Sequence, residues 1–136
     1  MRIIAIVGCS NPAEFSVNLA HRIHLFLKNF NPNDTLVISG GARGTDTIAI
    51  NTAKQMGFMT KVYPPEFDGW EAYKKRNLII ANECDEIACF TTLTRTTRCY
   101  HCNADHEKTA GCWTVKQVAE NKPRHTIICT VKNVGR

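Results

Sequence analysis

Two groups of residues have the types and spacing to do chemistry. The first is Ser39-Gly40-Gly41-Ala42-Arg43-Gly44-Thr45-Asp46, which follows the apolar run Leu36-Val37-Ile38. Glycines remove the Cβ atoms that would block a close approach and leave main-chain N–H groups free to face an anion. A helix beginning at Thr45 adds the positive end of its dipole, so the turn suits a phosphate. A tight strand-to-helix turn needs glycines for its own geometry as well. Arg43 is what points beyond geometry, because no packing need places a cation between glycines, whereas an anion would. Asp46, in the first helical turn, is the candidate catalytic carboxylate.

The second group is Cys99-Tyr-His-Cys102-Asn-Ala-Asp-His106 with Cys112, a C-x2-C-x3-H-x5-C arrangement in a polar loop. Soft thiolates and an imidazole over so short a span fit tetrahedral zinc. Cys99, Cys102, His106 and Cys112 would close the coordination sphere, with His101 an alternative to His106, and a closed site is structural rather than hydrolytic. A metal would also order a loop that has little apolar content of its own. The rival reading is three thiols without a metal. Seven cysteines is an odd count and argues against a complete disulfide framework. Cys9, Cys84, Cys89 and Cys129 sit in or beside apolar segments and read as small buried hydrophobes.

The elements that must position these groups alternate along the chain. Ile3 to Val7 is a continuous apolar run, as expected of a parallel strand covered on both faces. From about Ala13 to Asn29, Phe15, Leu19, Ile23, Phe26 and Leu27 share one helical face. Leu36 to Ser39 reads as a second strand, Thr45 to Met56 as a helix stopped by Gly57, and Thr60 to Tyr63 as a short strand closed by Pro64-Pro65. A helix from about Glu71 to Asn82, a strand from Glu86 to Phe90, a helix from about Thr114 to Glu120 and a strand from His125 to Thr130 complete the pattern. Strict alternation implies a single α/β domain over 1–136, a doubly wound, mainly parallel five-stranded sheet with flanking helices, interrupted by the Cys/His loop at 91–113. In such sheets the ligand crevice lies outside the carboxyl ends of the strands. That edge holds Gly8-Cys9-Ser10, the loop from Gly40 to Asp46, and the stretch from Thr91 onward. Neither the dinucleotide fingerprint after the first strand nor the Walker lysine pattern is present in the sequence.

Ser39-Gly-Gly-Ala-Arg-Gly-Thr-Asp46, Tyr73-Lys-Lys-Arg-Asn77 with Ile79-Ile-Ala81, Asp85 opening the next strand, and Gly111 to Thr114 opening the last helix together carry a resemblance. The chain resembles the Rossmann-like superfamily that joins DNA-processing protein A and the "lonely guy" phosphoribohydrolases. Within it the chain is similar to the small stand-alone SLOG or YAcAr domains. The resemblance runs the length of the chain and implies a nucleotide or nucleotide-derived ligand. By position it assigns Ser39, Gly40, Gly41, Arg43, Gly44, Asp46, Arg76 and Asn77 to the pocket. The crevice loops add Gly8, Cys9, Ser10, Thr45, Gly111 and Thr114. Two departures bear on function. The family often has Gly-Ser-Arg after its first strand, where this chain has Gly8-Cys9-Ser10. The phosphoribohydrolase box P-G-G-x-G-T-x-x-E is matched by Thr109-Ala-Gly-Cys-Trp-Thr-Val-Lys-Gln117, with glutamine at the catalytic glutamate. A neutral amide can neither act as general base nor stabilise an oxocarbenium ion as a carboxylate does, although Asp46 or Glu83 could substitute. Arg76 reads as lying near a helix beginning beside Lys74 and Lys75, an unfavourable place for cations unless an anion is nearby.

Net charge is +5, with Lys and Arg scattered, which permits an anionic partner without choosing among nucleotide, RNA and DNA. No apolar run approaches a membrane span, and the opening Met1 to Gly8 is too short and strand-like for a signal peptide. The expected location is the cytoplasm, with no membrane partner. Three readings follow. The first is nucleotide binding or sensing. The second is a nucleotide phosphoribohydrolase-like enzyme cleaving an N-glycosidic bond. The third is single-stranded nucleic-acid binding similar to DNA-processing protein A, with Tyr100 and Trp113 available to stack on bases. Trp113 is better explained as packing at a helix start, and a homodimer is expected to complete the open rim of the crevice.

Overall fold

The computed structural model describes residues 1–8, 16–41, 44–92, 113–117 and 126–131. The elements are β1 (Arg2–Gly8), α1 (Ser16–Leu27), β2 (Thr35–Ser39), α2 (Thr45–Gln55), β3 (Met59–Val62), α3 (Trp70–Glu83), β4 (Glu86–Thr92) and β5 (Thr126–Val131). A short helical stretch over 113–117 precedes β5. The strands form one sheet in the order β3-β2-β1-β4-β5, and every pairing is parallel. The parallel α/β arrangement expected from the alternation is therefore the one observed, with boundaries within one or two residues wherever the ends are described.

Why β1 is apolar without alternation is visible in its two faces. Ile4 and Ile6 join Leu19, Ile23 and Leu27 of α1, Ala49 and Ala53 of α2, and Phe90 of β4 in one core. Ala5 and Val7 face the other way, into a core with Ile80 and Ala81 of α3, Ile87 and Cys89 of β4, and Val115. Both faces are covered by helices, so the buried positions from Ile4 to Val7 are all apolar. Cys84 and Cys89 are fully buried, as small hydrophobes should be. At the start of β4, the Asp85 carboxylate accepts from the Ile3 N–H at 2.8 Å, while the Asp85 N–H donates to the Ile3 carbonyl at 2.8 Å. This reciprocal pair sets the register between β1 and β4.

Because α3 starts at Trp70, Arg76 lies well beyond the first turn, where the end charge of the helix has faded. The dipole argument for an anion beside Arg76 does not hold, and the case for that residue rests on its contacts. Its neighbour Lys75 pairs with Glu66 at 2.8 Å, both largely exposed, a contact of little energetic weight. Among the described residues no helix is long and apolar enough to cross a membrane.

Candidate functional site

From β1 the chain builds outward through β2 to β3, whereas β4 and β5 lie on the opposite side of β1. The order reverses between β1 and β4, and in parallel sheets the crevice at that reversal receives the ligand. Gly8 ends β1 there, and Gly40 follows the end of β2 beside it.

The centre of the site is Gly40. Arg76 is only 8% exposed, yet its guanidinium reaches across from α3 and Nη1 donates to the Gly40 carbonyl and, at 3.3 Å, to the Tyr63 carbonyl. A Cβ on Gly40 would lie 2.5 Å from Arg76 Nη1, 2.7 Å from its Cζ and 2.8 Å from Asp46 Oδ2. Any side chain at position 40 would therefore expel the arginine or the aspartate, which is why glycine stands there. Gly41 follows with φ +77, a backbone conformation that residues with a Cβ rarely adopt. Burial pulls the Arg76 guanidinium below its ordinary pKa, and the nearby Asp46 carboxylate and then Tyr73 pull it back up. Arg76 also lies over the Tyr73 ring, 5.7 Å from its centroid.

Other predicted positions have assigned work. Ser39 is fully buried and its hydroxyl donates to the Ile6 carbonyl at 2.5 Å, tying β2 to β1. Thr45, also fully buried, donates to the Phe90 carbonyl at 3.4 Å and ties the start of α2 to β4. Asp46 and Asn77 are buried, and Thr114 is fully buried in the short helix over 113–117. Thus Gly40, Asp46 and Arg76 come together at one point. Gly8 and Thr45 meet one step away, since a Cβ on Gly8 would lie 2.6 Å from Thr45 Oγ1. Cys9, Ser10, Arg43, Gly111 and the four residues expected to bind zinc, Cys99, Cys102, His106 and Cys112, lie outside the described residues. Among the described residues no group of three or more His, Cys, Asp or Glu side chains could hold a metal.

The carboxylates separate clearly. Glu83 sits at the far end of α3, seven residues beyond Arg76 or about 10 Å along the helix. There it raises the pKa of the Tyr63 phenol, second to the effect of burial and alongside a hydrogen bond from Lys61 that lowers it. Glu83 is thereby engaged away from the glycine turn, leaving Asp46 as the carboxylate beside Gly40. Gln117 lies in the 113–117 helix and supplies no charge.

Two participants escaped the sequence reading. The Tyr63 carbonyl is a main-chain acceptor and has no sequence signal. Trp70 opens α3 and meets Trp113 edge to face, with ring centroids 5.2 Å apart. Its only sequence cue is Gly69, which has φ +128.

Residues 1–79 match the family model described as DNA recombination-mediator protein A. Among solved structures, the X-ray structure of TM1055, a Northeast Structural Genomics Consortium target, superposes with a TM-score of 0.51. It is 14% identical, and the match covers 96% of this chain and 92% of that one, a likeness that speaks for the fold alone. No curated protein matches the chain.

Proposed function

The chain belongs to the DNA recombination-mediator protein A family, and from that premise we propose that it binds a nucleotide or nucleotide-derived ligand by its phosphate at the turn from Gly40 to Asp46. The observation that carries the reading is the buried Arg76 guanidinium clamped on the Gly40 carbonyl. A peptide unit is planar and trans, so its C=O and N–H point in opposite directions. With the Gly40 carbonyl held by Arg76, the Gly41 N–H of the same unit turns away from Arg76, and in this reading it faces the anion. Arg76 in this reading preorganises an anion-binding turn, and α2 brings its positive end to the same place. Arg43, Cys9, Ser10, Gly111 and Thr114 complete the pocket. Asp46 is the group that would meet the ribose. With glutamine at position 117, binding rather than hydrolysis is the function favoured.

The family's description names DNA, which keeps single-stranded nucleic-acid binding as the second reading. Salt separates the two. Affinity for a nucleoside monophosphate is expected to change little with ionic strength, because one phosphate is neutralised. A single-strand binder making several phosphate contacts loses affinity steeply, with a log–log slope of about −0.7 per contact. Fluorescence titrations with AMP and with an oligothymidylate across a salt series measure both. Tight oligothymidylate binding with a steep slope, and no AMP binding, would replace the first reading by the second.

The Cys/His loop belongs to the same proposal. Cys99, Cys102, Cys112 and His106 or His101 hold one structural zinc, which pins the approach to Gly111 against the crevice. Atomic emission on the purified protein is expected to find about one zinc per chain, lost in a Cys102→Ser variant. Metal-free protein that binds no added zinc would remove this part of the account.

A further inference from the structure

We propose that Trp70 and Trp113 form a stacking platform for the base of the bound nucleotide, an inference that rests on the phosphate-site reading above. The topology places them. A crossover helix in a parallel sheet starts at the carboxyl ends of the strands and runs back, so the beginnings of α3 and of the 113–117 helix both lie at the crevice edge. Both helices pack on the same face of the sheet, with Ile80, Ala81 and Val115 in one core beside Val7 of β1 and Cys89 of β4. Trp70 and Trp113 therefore meet over the strands between which the order reverses.

Their geometry leaves aromatic surface available. The rings are T-shaped, with centroids 5.2 Å apart and planes at 79°. Such a pair uses the edge of one ring and one face of the other, so a π-face of each ring is left unused by the pair. Trp70 is 46% exposed, a large apolar surface at the mouth of a polar crevice. An independent observation points to a ligand in the same crevice. Six residues further along α3, about 9 Å along the helix axis, Arg76 is 92% buried and its Nε has no hydrogen-bond partner among the described residues. Aromatic platforms accept any base, because every base has a π-face. The inference is thus of a nucleobase contact without base identity.

Titration calorimetry on the intact protein with AMP, GMP, CMP, UMP and ribose 5-phosphate tests it. The wild type is expected to bind the four nucleotides about tenfold or more tightly than ribose 5-phosphate. Trp70→Ala should remove that preference while leaving ribose 5-phosphate affinity within twofold, and Trp70→Phe should restore most of it. Nucleotides, but not ribose 5-phosphate, should also quench tryptophan fluorescence in a Trp113→Phe variant. Wild-type protein that binds ribose 5-phosphate as tightly as the nucleotides overturns the platform and leaves the phosphate site standing. Retention of the preference by Trp70→Ala overturns the platform too. Failure of every compound to bind overturns the phosphate reading and the platform with it. An oligothymidylate arm identifies the source of the base: if it alone binds, and loses affinity in Trp70→Ala, the platform serves a nucleic-acid strand and the mononucleotide form of the proposal is wrong.

Discussion

Arg76→Ala is expected to weaken nucleoside monophosphate binding by about 50-fold, the equivalent of one to two charge-assisted hydrogen bonds. In the folded protein the guanidinium holds the carbonyls of Gly40 and Tyr63 and lies beside the Asp46 carboxylate. Removing it frees the Gly40 peptide to rotate, so the N–H group that should face the anion is no longer fixed. Two carbonyls lose a donor and Asp46 loses its neighbouring cation, which adds a stability loss of about 1–3 kcal/mol. Arg76→Lys separates geometry from charge. A lysine keeps the cation, but its strongly hydrated, flexible ammonium lacks the planar guanidinium that fixes Nη1 between the two carbonyls and lies over the Tyr73 ring. It is expected to recover part of the stability and little of the affinity. Calorimetric titration and thermal unfolding of the two variants give the answer. Wild-type affinity in Arg76→Ala would show that the clamp is only a structural brace.

Gly8→Ala is expected to destabilise the protein by about 3 kcal/mol or more and to lower its unfolding midpoint by about 10 °C. Gly8 is paired with Phe90 across β1 and β4, at the point where the strand order reverses. A Cβ there would lie 2.0 Å from the Phe90 carbonyl oxygen, 2.6 Å from Thr45 Oγ1 and 2.8 Å from Thr45 Cγ2. None of these atoms can yield cheaply. The first is sheet backbone, and the others belong to a fully buried β-branched residue whose hydroxyl donates to that same carbonyl. The strands must part or α2 must shift, and either movement opens the crevice as well as the core. Gly57→Ala is the control, since its Cβ would meet only Pro32 at 4.0 Å. That change carries only the left-handed backbone penalty, about 1–2 kcal/mol at φ +88. Circular-dichroism melts of both variants check the ordering. A Gly8→Ala protein that melts with the wild type would contradict the close approach of β1 and β4.

How much of this was legible in advance depended on whether the signal was local. The runs Ile3 to Val7 and Leu36 to Ser39, the glycine turn and the apolar stripe of α2 all announce themselves within a few residues, because backbone period and turn chemistry are local properties. Gly40 and Arg76 are linked in the sequence only through one resemblance, not through any local pattern. The physical content of that link, a guanidinium on a main-chain carbonyl, depends on how α3 crosses the sheet. The start of α3 is legible to within one residue, yet Arg76 lies in its second turn, beyond the reach of the dipole at that end. Resemblance and loop position put Ser39 and Thr45 in the pocket, but their hydroxyl protons go to the Ile6 and Phe90 carbonyls. Periodicity cannot say which hydroxyls become fasteners between strands. Trp70 and Trp113 are far apart in sequence and meet only because two helices share one face of the sheet.

The most direct test of the central claim is a calorimetric comparison of each nucleoside monophosphate with its parent nucleoside, on one preparation of the wild-type protein. Binding through the turn from Gly40 to Asp46 requires the phosphate, so at least one monophosphate should bind and its nucleoside should bind at least tenfold more weakly. Equal affinity for nucleoside and nucleotide, or no binding of any monophosphate, would contradict a phosphate site at this turn.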